Sequence, residues 1–264
     1  MIRLIASDID GTLVPDGSSK INPEIFDVIL KLKEQGIYFI AASGRQYPSI
    51  AKLFAPIKDQ IFFIAENGAY IGARGRELIS VPMNREYVHQ IVRQAREYPD
   101  CEIFVSGKEI LYIDSKDEEF IRYLIDGYEN EVEQVEDILK VEEEIIKVSI
   151  YHKGFNAYEV IGKHMIPLWE DKLKVVIAGS EWLDFMGPNV SKGTAIREIQ
   201  ESLGISKEET MVFGDNFNDI EMLNEAYYSY AVGNAKDEVK EVARFVTDTN
   251  VNDGVLKVLK TLLK

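Results

Sequence analysis

The sequence predicts an α/β protein in which a parallel sheet carries a second, inserted domain. Near both ends of the chain, short apolar runs rich in β-branched and aromatic residues alternate with segments of helical periodicity. The middle of the chain instead shows short paired strands with two or three helices, a pattern typical of an α+β module. We therefore expect one domain from residues 1–82 and 187–264, and an inserted domain from residues 83–186.

The amino-acid composition disfavours some classes of partner and excludes an internal disulfide. The 264 residues include 45 acidic and 30 basic side chains, and the formal net charge of −15 disfavours nucleic acid as a partner. An anionic small molecule stays compatible with this charge, because a metal ion can reverse the local field. Cys101 is the single cysteine, which excludes an internal disulfide and suits the reducing cytoplasm.

The apolar segments also bear on location. No apolar run is long enough to span a membrane, and no signal-peptide pattern opens the chain. We therefore expect a cytoplasmic protein without a membrane partner, and the sequence does not indicate an oligomeric state.

Two aspartates follow the first predicted strand, residues 2–7. The segment DIDGTL runs from Asp8 to Leu13, and a loop pattern follows at residues 15–19. Asp8 and Asp10 thus lie at the carboxyl end of a buried strand, where open α/β sheets form their ligand crevice. They flank one position, as a nucleophile and its acid/base partner can.

Two other interpretations of this segment have to be considered. Solvated aspartates in a strand-to-loop turn are one alternative, since Asp and Gly are common turn residues. A calcium loop fits less well, because an EF-hand loop follows a helix and carries its glycine at position six, whereas Gly11 is fourth here.

The second polar segment follows the next strand. A first helix is predicted with Asn22 as its N-cap and Gly36 after its end, and residues 37–42 then form a buried strand. Parallel pairing would place Ser43 and Gly44 at the same sheet edge as the aspartates, where a hydroxyl and backbone N–H groups can hold a phosphate oxygen. Alternatively, Ser43 is the N-cap of the following helix.

A third strand, residues 61–65, ends at a turn. Asn67 and Gly68 form the Asn-Gly turn signal, and the runs at 69–72 and 77–81 predict a hairpin. The turn role of Asn67 is favoured over a side chain that faces the crevice.

The inserted domain has its own pattern. Helices are predicted over residues 83–98, 116–128 and 156–169, and strands over residues 102–106, 110–114, 145–151, 174–178 and 182–186. The acidic stretch 129–144 is typical of a solvated face or a loop.

A lysine begins the next helix of the first domain. Lys192 lies in the first turn of a helix that ends near Gly204, where a cation is unfavourable because of the helix dipole. A local rule broken without compensation often marks a functional site. Lys192 would bind a phosphate or neutralise the carboxylates; an exposed surface lysine is the alternative.

A second acidic cluster follows the strand at residues 210–213. The segment GDNFND, residues 214–219, places oxygen-bearing side chains of Asp215, Asn218 and Asp219 close together. Such oxygens suit a hard cation such as Mg²⁺, and an N-cap cluster is the alternative. Strands at 230–232 and 245–247 and helices at 237–243 and 255–263 complete the predicted domain.

Together these segments predict phosphoryl-transfer chemistry at one sheet edge. An aspartate such as Asp8 can form an aspartyl-phosphate, and Mg²⁺ between Asp8 and Asp215 would shield the two anions. Ser43 and Lys192 would hold the other phosphoryl oxygens. Asp10 would protonate the leaving oxygen and then accept a proton from water.

These motifs resemble those of the haloacid dehalogenase superfamily, specifically its Cof-type sugar-phosphate phosphatases. DIDGTL is similar to the first family motif, SGR at 43–45 to the second, Lys192 in SKG to the third, and GDNFND to the fourth. The segments AENGA at 65–69 and GNAKDEVKEVA at 233–243 extend the resemblance over nearly the whole chain. Val232, where many relatives carry Met, is a peripheral departure.

The resemblance implies a Rossmann-like doubly wound core with a mobile cap that selects the leaving group. It implies Mg²⁺ held by the Asp8 side chain, the Asp10 backbone carbonyl and Asp215, with Asp219 in support. It further implies that the phosphate lies near Ser43, Gly44, Lys192 and Asn218. The expected activity is Mg²⁺-dependent hydrolysis of phosphate monoesters of small metabolites, sugar phosphates above all.

Two other functions stay open. A phosphomutase also retains both aspartates, but its cap would have to hold a bisphosphate while it turns over. A phosphosugar-binding module without turnover is the third hypothesis, against which the intact carboxylates argue.

Overall fold

The computed structural model describes residues 1–15, 18 and 20–264. The predicted loop residues Asp16, Gly17 and Ser19 lie outside the described residues. The chain divides into two compact units, Met1–Leu78 with Ser191–Lys264, and Ile79–Val190. The boundaries expected from the sequence, after residues 82 and 186, stay predictions about functional domains.

The strands and helices are numbered in chain order. The strands are β1 (Leu4–Asp8), β2 (Tyr38–Ala42), β3 (Phe62–Ala65), β4 (Tyr70–Ala73), β5 (Arg76–Ser80), β6 (Cys101–Ser106), β7 (Leu111–Ile113), β8 (Val132–Gln134), β9 (Lys147–His152), β10 (Lys174–Ala178), β11 (Trp182–Met186), β12 (Thr210–Gly214), β13 (Tyr228–Ala231) and β14 (Phe245–Val246). The α-helices are α1 (Glu24–Glu34), α2 (Tyr47–Leu53), α3 (Arg85–Ala95), α4 (Glu118–Arg122), α5 (Lys163–Trp169), α6 (Lys192–Leu203), α7 (Ile220–Asn224), α8 (Asp237–Val242) and α9 (Gly254–Lys260).

The first unit is organised around a parallel sheet. Its strand order is β14-β13-β12-β1-β2-β3, and the hairpin β4-β5 adds antiparallel strands beyond β3. This confirms the predicted α/β fold with parallel crossovers. The strand order reverses between β1 and β12, and such a switch point opens a crevice at the carboxyl ends of the strands.

The strands of the parallel sheet are continuous apolar runs in the sequence because they are buried. Every residue of β1 and β12 is buried, as expected for a parallel sheet that is covered on both faces. Helix α1 buries the predicted apolar stripe of Ile25, Val28, Ile29 and Leu32, and it packs against α9.

The start of α1 differs slightly from the prediction. Pro23, not Asn22, occupies the N-cap position, although the Asn22 side chain accepts a hydrogen bond from the Glu24 backbone N–H at 3.1 Å. Asn22 therefore satisfies an otherwise unpaired helical donor from one position further upstream.

The second unit has the expected α+β character. Its six strands are ordered β10-β11-β9-β6-β7-β8, and they pair antiparallel except for β7 with β8. One face of this sheet buries apolar side chains against α3 and α5. The opposite face carries an aromatic cluster that includes Phe120 of α4 and Trp182 of β11.

Several boundaries in this unit differ from the sequence-based expectation. The acidic stretch 129–144 contains strand β8, because Val132 pairs with Leu111 and packs against the aromatic cluster. Helix α3 begins at Arg85 because the Asn84 side chain accepts hydrogen bonds from two backbone N–H groups of its first turn. The predicted helix over 156–169 starts as a π-turn at Tyr158–Gly162 before α5.

Among the described residues, no helix combines the length and the apolar character that crossing a bilayer requires.

The alkylation rate of Cys101 tests the environment that the fold of the second unit gives this thiol. Partial burial, together with the charges of Asp100 and Glu102, raises the pKa of the Cys101 thiol to about 11. Because only the thiolate reacts, we expect iodoacetamide at pH 8 to alkylate the native protein roughly 100-fold more slowly than the urea-unfolded chain. Mass spectrometry of timed samples measures both rates, and equal rates would contradict the buried environment.

Candidate active site

Three of the predicted segments meet at the switch point of the sheet. Asp8 is the last residue of β1, and it is aligned with Ala42 of β2, so that Ser43 follows at the same edge. On the other side of β1, strand β12 runs parallel and leads through Gly214 to Asp215. The structure thus brings the polar ends of three strands together as the sequence predicts.

The turn after β1 is locked to the loop after β12. Gly11 has a φ of +82°, and a Cβ there would collide with the Asp215 carboxylate, so both backbone and space require glycine. Thr12 Oγ1 donates a hydrogen bond to Asp215 Oδ1 at 2.6 Å, and Asn234 Nδ2 donates to the Gly11 carbonyl at 2.7 Å. Thr12 and Asn234 were given no role from the sequence.

Lys192 is buried at the centre of the site. Its side-chain ammonium donates to Asp8 Oδ1 at 2.5 Å and to Asp219 Oδ1 at 2.7 Å, and the residue is 1% exposed. The interpretation as an exposed surface lysine is therefore wrong, because the two carboxylates compensate a cation in the first turn of α6. Burial lowers the pKa of Lys192, but the charges of Asp219 and Asp8 outweigh it and hold that pKa above its usual value.

Asp219 shapes the loop that carries Asp215. Its buried carboxylate accepts hydrogen bonds at Oδ2 from the backbone N–H groups of Asp215 and Asn216, at 3.0 and 3.1 Å. Asn216 in turn caps the short 3₁₀ turn Phe217–Asp219. The acidic cluster and the N-cap alternative therefore coexist in one segment.

The carboxylates form a group that can hold a metal ion. Ligand oxygens of Asp8, Asp215 and Asp219 lie within 4.8 Å of one another. Burial, followed by repulsion from Asp219, raises the pKa of Asp8 well above its usual value, although Lys192 opposes the shift. Burial and Asp219 also raise the pKa of Asp215 to about 6. These groups would all be stabilised as anions by a shared cation.

The charges of the site fit a divalent ion. Lys192 contacts Asp8 and Asp219, and Arg45 contacts Asp10. When ionised, the four carboxylates of the site, with Asp215 as the fourth, carry two more negative charges than these two cations balance. Oxygen-only donors are the ligands that Mg²⁺ prefers. The residues present therefore fit the metal ion expected from the sequence.

Asp10 lies apart from this lysine-centred group. Arg45 donates to both of its oxygens, from Nε to Oδ2 at 2.8 Å and from Nη2 to Oδ1 at 2.5 Å. Ser43 Oγ lies 3.5 Å from Asp10 Oδ2. Arg45 has no role among the sequence-based expectations, although the SGR motif at 43–45 is a signal that could have identified it.

Ser43 belongs to the crevice and not to the next helix. Helix α2 begins at Tyr47 with Gln46 as its N-cap, so the N-cap alternative for Ser43 is wrong. Instead, the Ser43 hydroxyl accepts a hydrogen bond from the Arg45 backbone N–H at 3.1 Å. The hydroxyl therefore shapes the turn that presents Arg45 to Asp10.

Asn67 combines the two roles that the sequence left open. Its φ of +54° is the left-handed conformation of a turn, and its buried Oδ1 accepts a hydrogen bond from Asn218 Nδ2 at 3.0 Å. A Cβ at Gly44 would lie 3.2 Å from the Asn67 amide, so Gly44 and Asn218 lie against the same side chain.

Comparison with known proteins identifies the family. A family model described as haloacid dehalogenase-like hydrolase matches residues 5–259. The chain belongs to the haloacid dehalogenase-like hydrolase family. The 5-amino-6-(5-phospho-D-ribitylamino)uracil phosphatase YbjI of Escherichia coli (strain K12) is 31% identical over 267 residues, which cover 100% of this chain and 97% of YbjI.

Solved structures of the haloacid dehalogenase-like family agree over the full length. A crystal structure from Eubacterium rectale matches with a TM-score of 0.91 and 38% identity, covering 99% of both chains. The HAD subclass IIB sugar phosphatase BT4131 matches with a TM-score of 0.83 and 25% identity, covering 98% of both chains. The predicted family and fold are confirmed, and this haloacid dehalogenase-like hydrolase is a phosphatase.

The buried lysine of this hydrolase gives a stability prediction. Lys192→Met removes the ammonium that Asp8 and Asp219 share, and breaking such a buried pair costs roughly 3–5 kcal/mol. The orphaned carboxylates gain protons more readily in the folded variant, so the deficit should be largest at pH 7.5 and shrink towards pH 5. Urea unfolding in EDTA at both pH values measures the free energy of unfolding.

Lys207→Met is the matched control for that measurement. Lys207 is 54% exposed, and its buried partner Glu225 keeps a second cation, Arg197, so the loss of Lys207 should cost about 0–1 kcal/mol. A Lys192→Met deficit no larger than that of the control would contradict the central role of the lysine.

The carboxylates predict a pH-dependent response to metal. Protons compete with a cation for Asp215 below a pH of about 6, so Mg²⁺ should stabilise the EDTA-treated protein more at pH 7.5 than at pH 5. At one hundred times its Kd, the ion would add about 2.7 kcal/mol, seen as a rise in Tm. Asp215→Asn should lose the rise, whereas Asp237→Asn, with a 93% exposed side chain, should keep it. An equal rise at both pH values argues against this site.

Proposed function

We propose that this phosphatase hydrolyses phosphate monoesters of small metabolites in a Mg²⁺-dependent reaction through an aspartyl-phosphate on Asp8. The observation that carries the proposal is the separate pairing of the two aspartates at the switch point. Asp8 lies with Lys192 among carboxylates suited to a metal ion, whereas Asp10 lies with Arg45. This separate pairing supports attack by one aspartate and proton transfer by the other.

The burial of Asp8 and its contact with Lys192 support its role as the nucleophile. It is 5% exposed, and one of its oxygens is bound by Lys192, which favours the charged form that attacks. Attack of a carboxylate oxygen on phosphorus breaks the bond to the leaving oxygen and leaves a phosphoryl group on Asp8. Water then cleaves this acyl phosphate, releasing inorganic phosphate and restoring the carboxylate.

We assign Asp10 as the general acid of the first step and the general base of the second. In the first step it would donate a proton to the leaving oxygen, which departs as an alcohol. In the second step the resulting carboxylate would take a proton from the attacking water. The side chain is 28% exposed, in keeping with exchange of this proton with solvent.

The phosphate contacts are assigned to Ser43, Gly44, Lys192 and Asn218. The Ser43 hydroxyl and the buried Lys192 ammonium would bind phosphoryl oxygens whose charge grows in the transition state. The amide of Asn218 donates to Asn67, whose side chain also lies against Gly44.

The metal ion is assigned to the acidic cluster. The Asp8 and Asp215 side chains and the Asp10 backbone carbonyl would hold Mg²⁺, with Asp219 orienting Lys192 and the Asp215 loop. When bound, the ion supplies positive charge that lets the anionic nucleophile approach an anionic phosphate. Thr12 would keep the Asp215 carboxylate oriented through its 2.6 Å hydrogen bond.

The proposed substrates are phosphorylated sugars and sugar alcohols. YbjI is named for a substrate with a phosphorylated ribityl chain, and BT4131 is described as a sugar phosphatase. Both leaving groups are polyhydroxylated alcohols. We assign the choice among them to residues 83–186 as a cap, and we place the enzyme in the cytoplasm because of its single cysteine.

A substrate panel tests the proposal. The wild-type protein should release phosphate from sugar and sugar-alcohol phosphates with Mg²⁺ but not with EDTA. Asp8→Asn should lower kcat by at least about 1,000-fold, because it removes the nucleophile, whereas Asp237→Asn should not. Acid-quenched samples should carry one phosphoryl group on the peptide that contains Asp8. Release that survives in Asp8→Asn, or a folded protein without activity on any compound, would refute the proposal.

A further inference from the structure

Arg45 holds the second aspartate by a two-pronged contact. Its Nε and Nη2 donate to different oxygens of Asp10, so that the planar guanidinium faces the planar carboxylate. The Arg45 side chain is 5% exposed, and Nη2 also donates to the Ser18 carbonyl at 3.2 Å. Such a fork fixes both the position and the rotation of a carboxylate, which a lysine cannot do.

The backbone around both partners is held as well. The turn after Asp10 is closed by the hydrogen bond from Gly11 N–H to the Val14 carbonyl. The turn before Arg45 is closed by the hydrogen bond from its own N–H to Ser43 Oγ. The fork therefore joins two ordered loops, and this arrangement is more than a pair of flexible surface charges.

The positive charge of Lys192 near Asp8 explains why Asp10 needs the contact with Arg45. Lys192 and the proposed metal ion attract carboxylates, and Asp10 is close enough to Asp8 for its charge to act on that group. Without a cation of its own, the Asp10 carboxylate would be drawn towards these charges and away from the leaving oxygen. Arg45 gives Asp10 a cation of its own within hydrogen-bonding distance.

We infer that Arg45 is a positioning residue for Asp10, which holds the carboxylate where it exchanges a proton with the leaving oxygen and with water. The inference rests on the proposed function. The fork fixes the position and the rotation of the Asp10 side chain, so the same carboxyl group is held in place for both steps.

The inference predicts that the loss of activity on substituting Arg45 depends on the leaving group of the substrate. A sugar alcohol leaves poorly as an alkoxide and needs the proton, whereas p-nitrophenolate leaves without one. Since kcat/KM covers the reaction only as far as departure of the leaving group, it reports on the first proton transfer and not on that of the hydrolytic step. Arg45→Gln should lower kcat/KM about 100-fold for a sugar phosphate, and no more than about 3-fold for p-nitrophenyl phosphate.

The experiment compares these two substrates in the Mg²⁺-loaded full-length protein. Arg45→Lys should recover only part of the sugar-phosphate activity, because it restores charge but not the fork. Arg197→Gln is the matched control, since Arg197 also pairs with a buried carboxylate, Glu225, and should leave both activities unchanged. Thermal unfolding of each variant confirms that it is folded under the assay conditions.

A double-mutant cycle separates positioning from direct contact with the substrate. Asp10→Asn alone should show the same dependence on the leaving group, and adding Arg45→Gln should cost little more, because both changes remove one function. Equal losses for the two substrates, or losses that multiply in the double variant, would overturn the inference.

Failure of the proposed function and failure of the inference about Arg45 give different experimental results. A wild-type protein without phosphate release, or an Asp10→Asn variant with full activity on the sugar phosphate, would refute the proposed function itself. A selective loss in Asp10→Asn without one in Arg45→Gln would refute only the role of Arg45.

Discussion

A buried lysine between two carboxylates is the interaction on which the site depends. The ammonium of Lys192 joins Asp8 at the end of β1 to Asp219 in the loop after β12. A buried ion pair contributes little net stability, because desolvation opposes the attraction, but losing one partner leaves an uncompensated charge. The lysine therefore specifies geometry: it ties the first turn of α6 to the end of β1 and to the loop after β12. Its charge also opposes the rise in the pKa of Asp8 that burial causes.

The remaining charges are divided in a way that fits two-step phosphoryl transfer. Arg45 binds Asp10 and Lys192 binds Asp8, so that each aspartate has its own cation. The ligand oxygens of Asp8, Asp215 and Asp219 lie close enough together to hold a divalent ion. Burial and the charge of Asp219 raise the pKa of Asp215, and a divalent ion would oppose that shift.

Much of the fold and the site could be predicted because buried parallel strands leave a strong local signal. Continuous apolar runs located β1, β2 and β12, and the polar residues after them identified the crevice. Side-chain partners had no such signal. The bonds Thr12–Asp215 and Asn67–Asn218 span 203 and 151 residues of sequence. Strand β8 forms in an acidic stretch, where it pairs with β7 and Val132 packs against the aromatic cluster.

The distribution of these residues separates chemistry from substrate choice. Every group assigned to attack, proton transfer, phosphate binding or metal binding lies in the unit Met1–Leu78 with Ser191–Lys264, and none lies in Ile79–Val190. The second unit has its own apolar core around its own sheet, so substitutions on its surface need not disturb the lysine-centred site. On the proposed function, the leaving group can therefore change during evolution through residues 83–186 while the phosphoryl-transfer residues stay constant, because no assigned step depends on a side chain from that segment.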